Sequence, residues 1–162
     1  MIGFFPVVYL KSLMNRQNTD TLYDKTISQK GFRFTSQRRQ VYDALLQKRD
    51  HPTAVEVFLR VKENLPNISL ATVYNCLETL TACGLVRHVN LDRQSSRYCP
   101  NLEDHGHFFC DRCGSVMDVP RKKPFRLREA WEVPRHAVIA QHEVTFRGLC
   151  PDCATSERKG HS

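Results

Sequence analysis

Apolar residues recur at helical spacing through the first half of the chain. Val41, Ala44 and Leu45 follow the opening Gly31-Phe32-Arg33-Phe34-Thr35-Ser36-Gln37-Arg38-Arg39, which predicts a helix with Thr35 or Ser36 as its N-cap. A second helix starts at His51-Pro52-Thr53-Ala54-Val55-Glu56, where Thr53 and Glu56 have capping-box spacing. Its Ala54, Val57, Phe58 and Val61 repeat at i, i+3, i+4 and i+7, and Leu65-Pro66-Asn67 closes it. A third begins near Ser69 with Leu70, Val73, Leu77 and Leu80 inward and Ala71, Thr72, Tyr74, Asn75 and Glu78 outward, stopping at Gly84. Residues 85–89 and 95–99 then read as short strands around the polar turn Asn90-Leu91-Asp92-Arg93-Gln94. Three helices and a hairpin form the winged-helix order, with the third helix in the recognition position.

From His105 the pattern shortens. Phe108-Phe109, residues 116–119 and Val144-Thr145-Phe146 read as strands, and residues 125–131 as a short helix between proline-containing flanks. The expected fold class is α+β: an N-terminal winged helix-turn-helix domain at 25–98 and a C-terminal α/β domain at 99–156, with the boundary near residues 98–103. Residues 1–24 are expected as a leader, either disordered or preceding a true start at Met14, and 157–162 as a tail. Residues 1–10 are apolar, but no basic residue precedes them and no small-residue cleavage site follows, so they make a poor signal peptide.

The 162 residues, 41% hydrophobic and 25% charged, suit one or two small globular domains, and no apolar run is long enough to span a membrane. The net charge of +7 is unevenly placed, with 14 basic against 8 acidic residues in 1–100 and 10 against 9 in 101–162. Between residues 25 and 49 seven Lys/Arg face one acid, Asp43, so the N-terminal part is the one suited to a polyanion.

Four of the seven cysteines form the pairs Cys110/Cys113 and Cys150/Cys153, a spacing that favours metal thiolates over disulfides and implies a reducing compartment, the cytoplasm. Two such pairs supply a closed tetrahedral set with no position left for substrate, the mark of structural zinc. His105 and His107 fall on one face of an extended segment because strand side chains alternate, and Cys99 and Asp118 lie near them in sequence. His51 completes that set only if the two domains fold together, and an ion held by both would set their relative orientation. Cys76 and Cys83 read as small buried hydrophobes and His88 as a solvated strand residue, while His136 and His161 carry no constellation.

These motifs resemble the ferric uptake regulator (Fur) family of metal-sensing repressors over roughly residues 25–155. The matching stretches are Arg33-Phe34-Thr35-Ser36-Gln37-Arg38, His51-Pro52-Thr53-Ala54, Thr72-Val73-Tyr74, Gly84-Leu85-Val86, Ser96-Arg97-Tyr98, the His105/His107 pair leading to Cys110-x-x-Cys113-Gly114, and His142 through Gly148 to Cys150-x-x-Cys153. The resemblance implies a winged-helix DNA-binding domain, a C-terminal dimerisation domain, a structural zinc, and a regulatory metal that arranges the homodimer for a palindromic operator on double-stranded DNA. It implies His51, Cys99, His105 and His107 as regulatory ligands, with Asp118 at a carboxylate position used by the peroxide-sensing branch.

Three departures matter. Cys99 stands where iron and peroxide sensors carry a carboxylate; a thiolate favours Zn2+ over Fe2+ or Mn2+, as in the zinc uptake regulators, while Asp118 keeps a feature of the iron- or manganese-loaded peroxide sensors, and a peroxide-sensing or an iron-responsive repressor is the alternative. Many members build an extra metal site that would fall on Asp104 and His142, but Gly106 stands where the family often has an acid and Asp104 where it often has a histidine. Asn75 replaces the arginine that commonly follows Thr-Val-Tyr. Tyr74 is then the expected base or sugar contact, with Thr72 beside it and Arg33, Arg38, Arg39 and Arg93 on phosphates. A zinc-dependent hydrolase or deaminase would need an open zinc position and a His-x-Glu motif; His107 occupies the glutamate's place, so the chain is read as no enzyme and no small organic substrate is expected.

Overall fold

The computed structural model describes residues 20–90, 95–122, 129, 131–139 and 142–159, the side chains of 157–159 apart. The expected leader up to residue 19, Met14 within it, the wing-tip Arg93, most of the expected helix at 125–131, and His161 lie outside the described residues.

The chain divides into two compact units, Met1–Leu102 and Glu103–Ser162. The first opens with α1 (residues 20–29), which the sequence reading did not anticipate. Tyr23 and Ile27 of this helix are buried, so the part of the expected leader at 20–24 belongs to the core. Tyr23 stacks on Tyr42 at 5.3 Å and meets Phe34 edge-on at 5.7 Å. Its weak apolar spacing hid it: one aromatic and one isoleucine carry the packing.

Three helices follow as the periodicity predicts. α2 (Ser36–Gln47) is capped by Thr35, whose hydroxyl accepts from the Arg38 N–H. α3 (Ala54–Lys62) carries the full capping box, Thr53 accepting from the Glu56 N–H and Glu56 accepting in return from the Thr53 N–H. α4 (Leu70–Ala82) is capped by Ser69. They pack pairwise around Val41, Leu45, Val57, Val61, Val73, Leu77 and Leu80, with Cys76 and Cys83 buried among them. Leu70 lies only half buried, while Cys76 joins Val73, Leu77 and Leu80 on the buried face. Gly84 ends α4 at a φ of 73°, which lets its N–H reach Thr81 O and the Leu85 N–H reach Leu80 O, closing the last turn.

The wing is shorter than expected. Leu85 and Val86 pack into the helical core instead of pairing, leaving β1 (Arg87–Val89) antiparallel to β2 (Arg97–Cys99). Cys99 therefore closes β2 and belongs to the first unit, where the expected division had assigned it to the second.

The second unit is a three-stranded sheet in the order β4-β3-β5. β3 (His105–Cys110) runs antiparallel to β4 (Val116–Pro120) and parallel to β5 (Thr145–Gly148). α5 (Pro151–Lys159) follows, with proline in the first helical position, where its missing N–H costs nothing. Part of the expected tail is thus helix.

The α3 cap makes the first unit sensitive to acid. Burial pushes the Glu56 carboxyl up, but the Thr53 N–H and hydroxyl, Arg97 and Arg60 together hold it below its ordinary 4.5. The folded state binds this proton more weakly than the unfolded chain, so the cap's contribution is complete above pH 4.5 and is lost as the pH falls through the lowered value. Urea unfolding between pH 3 and 7 should show that loss, and Glu56→Gln should flatten the acid limb while lowering stability near neutrality.

Candidate metal centres and nucleic-acid interface

The register of the second unit builds a cysteine cluster. Cys110 ends β3 and Cys113 sits on the tight turn to β4, where the Gly114 N–H donates to Cys110 O. Parallel pairing of Cys110 with Gly148 delivers Cys150 to the same end of the sheet. Cys153 lies in the first turn of α5, so the second pair spans a strand end and a helix start, rather than the turn after a strand that the spacing suggested. All four sulfurs lie within 4.8 Å of one another, and all seven cysteines of the chain are free thiols.

The packed thiols are pushed in different directions. Hydrogen bonds from the backbone N–H groups of Cys113 and Cys150 hold the Cys110 thiol down at about 6. Cys153 is pushed up to about 12, first by its hydrogen bond to Cys150 and then by burial and the neighbouring sulfurs. Four sulfurs gathered within 4.8 Å suit a divalent cation that neutralises their thiolates, and an all-sulfur set suits zinc.

A second donor group lies on the same sheet. His107 pairs with Asp118 across β3 and β4, and His105 points to the same face two residues away. His105 Nε2 stands 3.0 Å from His107 Nε2 and 3.3 Å from Asp118 Oδ1. His105 Nδ1 lies 2.7 Å from Glu103 O, an acceptor only, so Nδ1 carries a proton and Nε2 is the ring atom that faces Asp118 and His107. Two imidazoles and a carboxylate with converging lone pairs fit a divalent cation. Gly106 between them has no room for a side chain, since a Cβ there would meet Val144 O at 2.9 Å and Phe146 Cε2 at 3.2 Å. The first unit carries two more donors. His51 and Cys99 are each 1% exposed, and a ligand atom of one lies within 4.8 Å of the other's.

The expected extra site is a poorer fit. His142 Nε2 stands 3.8 Å from Asp104 Oδ1, but the Arg121 guanidinium pairs with the same carboxylate and competes with any metal. Among the described residues no third donor joins them.

On the first unit, α4 presents Tyr74, 43% exposed, and Asn75, while the Thr72 hydroxyl lies 2.8 Å from Ser69 Oγ within the cap. Arg33 is exposed, and Arg38 donates from Nη1 to Arg33 O. Arg39 does not fit the expected phosphate contact. Asp20 and Asp43 hold its guanidinium, which also lies 5.2 Å over the Tyr23 ring, so its charge is spent joining α1 to α2.

The model of the ferric uptake regulator family matches residues 29–147. The chain belongs to this family. It is 30% identical over 131 residues to the peroxide-responsive repressor PerR of Staphylococcus aureus, covering 79% of this chain and 86% of that protein. The ferric uptake regulator Fur of Helicobacter pylori superposes with a TM-score of 0.71 at 18% identity, covering 84% of this chain and 93% of the other. A zinc uptake regulator solved with zinc and DNA superposes with a TM-score of 0.64 at 22% identity, covering 88% and 97%. Fur-family members are DNA-binding regulators rather than enzymes, and this chain is a metal-dependent regulator of that kind. Arg97, in sequence one of the basic residues of the hairpin, is singled out by its contacts with the His51 carbonyl, 46 residues away, and with Glu56.

Two outcomes follow for this Fur-family chain. Cys113→Ser or Cys150→Ser should purify with less bound metal than the unaltered chain and lose the cooperative melt of the second unit while the helical signal of the first persists, measured by metal analysis and circular dichroism. Gly106→Asp should part β5 from β3 and cost about 1–3 kcal/mol of stability in chemical denaturation.

Proposed function

We propose that the chain is a zinc-responsive repressor acting in the cytoplasm as a homodimer on a palindromic operator. Zinc at Cys110, Cys113, Cys150 and Cys153 stabilises the second unit. A regulatory zinc takes its donors from among His51, Cys99, His105, His107 and Asp118, and its binding couples zinc concentration to operator affinity. Tyr74, Asn75 and Thr72 face the major groove, with Arg33, Arg38 and the wing's Arg93 on phosphates. Asp104 and His142 are left outside the metal chemistry. The observation that carries the choice of metal is the buried Cys99 thiol within 4.8 Å of a His51 donor: a soft ligand in a shielded place selects Zn2+ over Fe2+ or Mn2+.

A second reading has its own support. His105, His107 and Asp118 form a two-histidine, one-carboxylate set of the kind that suits Fe2+, and the curated relative at 30% identity is a peroxide-responsive repressor. In that reading Fe2+ or Mn2+ is the regulatory ion and oxidation releases DNA.

The two separate in one experiment: titration of the zinc-retaining protein with buffered Zn2+, Mn2+ and Fe2+ against a selected operator, followed by fluorescence anisotropy. Zn2+ should switch binding on, Cys99→Ser should weaken the Zn2+ response at least tenfold, and Tyr74→Ala should weaken DNA binding about tenfold or more at saturating metal. Activation by Fe2+ or Mn2+, a silent Cys99→Ser and loss of DNA binding on peroxide treatment would replace the first reading with the second.

A further inference from the structure

His51 holds a φ of 53°, a left-handed conformation that crowds the Cβ of any residue but glycine. Such a backbone persists only where its surroundings over-determine it. Here they do so from both sides. Before it, Asp50 receives both Arg60 amino groups at 2.9 and 2.7 Å and Lys48 at 3.0 Å. After it, Pro52 O accepts from the Tyr98 N–H at 3.0 Å, and Thr53 starts the capping box of α3.

The carbonyl of His51 itself accepts from Arg97 Nη1 at 2.9 Å. Arg97 lies in β2, two residues before Cys99, and its backbone bridges to Thr53. The same guanidinium stands 3.7 Å from Glu56, the acid of the α3 cap. One side chain thus joins the strand that carries Cys99 to the strained residue whose ring nitrogen lies within 4.8 Å of the Cys99 sulfur.

From this we infer that Arg97 is a positioning residue for the regulatory metal: its hydrogen bond to the His51 carbonyl holds the left-handed turn that keeps the His51 and Cys99 donors together as a preformed pair. The inference rests on the proposed regulatory site and adds a residue that touches no metal. An outer partner of this kind typically changes metal affinity 10- to 100-fold when removed. Without the guanidinium, His51 is released to relax toward an ordinary conformation, and ordering it must then be taken out of the binding energy.

The test is a double-mutant cycle in the full chain with its structural zinc retained, read by competition for buffered Zn2+ and by the thiolate-to-metal charge-transfer band of Co2+ at the weaker site. Arg97→Met should weaken Zn2+ binding 10- to 100-fold and diminish the charge-transfer band, with the structural zinc content unchanged. Arg97→Lys, which keeps a donor for the carbonyl, should lose less than Arg97→Met. In the His51→Ala background, Arg97→Met should cost little more, because the residue through which it acts is gone. Full additivity, or wild-type affinity and spectrum in Arg97→Met, overturns the inference. Should Arg97→Met not fold, Arg97→Lys decides alone: a three- to tenfold loss that vanishes with His51→Ala supports the role, and no loss overturns it. Failure of the regulatory site itself reads differently, since Cys99→Ser and His51→Ala would then leave wild-type Zn2+ affinity intact.

Discussion

Convergence of four sulfurs within 4.8 Å of one another is the constraint on which the second unit depends. That unit buries little apolar surface: Phe109 and Val116 are its buried hydrocarbon side chains among the described residues, joined by Cys110 and Cys150. A three-stranded sheet with so thin a core has little hydrophobic free energy to set against chain entropy. Four thiolates gathered on one cation would supply what packing does not. The sheet in turn depends on the register that brings them together, with β5 parallel to β3 and close enough at Gly106 to exclude a side chain.

The same central strand carries both metal chemistries. One end of β3 supplies Cys110, and the other supplies His105 and His107, which the antiparallel register sets against Asp118. The strand pairing that gathers the cysteines therefore also sets the imidazoles against the carboxylate. An all-sulfur shell is closed and suits a permanent ion, whereas a mixed set of imidazole, carboxylate and a single sulfur exchanges its ion more readily and suits a sensor.

The first unit holds itself together differently. A continuous hydrophobic core from Tyr23 to Tyr98 fixes the helices. Against that rigid background one residue, His51, is kept in a strained backbone beside a buried thiol. A stable core can carry such strain, and strain at a donor residue is a means of having the donor in place before the ion arrives.

The sequence by itself determined whatever is written in short-range periodicity and spacing. The three capped helices, Thr53 and Glu56, the stop at Gly84, the two cysteine pairs and the common face of His105 and His107 are all consequences of neighbours within a turn or two. What depended on distant partners was decided only by the tertiary structure. α1 has too little amphipathic pattern to announce itself, and its place comes from Tyr23 stacking on Tyr42. Arg39 reads as a basic residue free for DNA until Asp20, from that unseen helix, pairs with it. Cys99 changed unit because strand pairing, not composition, sets the boundary. The strain at His51 and its tie to Arg97 join residues 46 apart, and no local pattern records a hydrogen bond of that span.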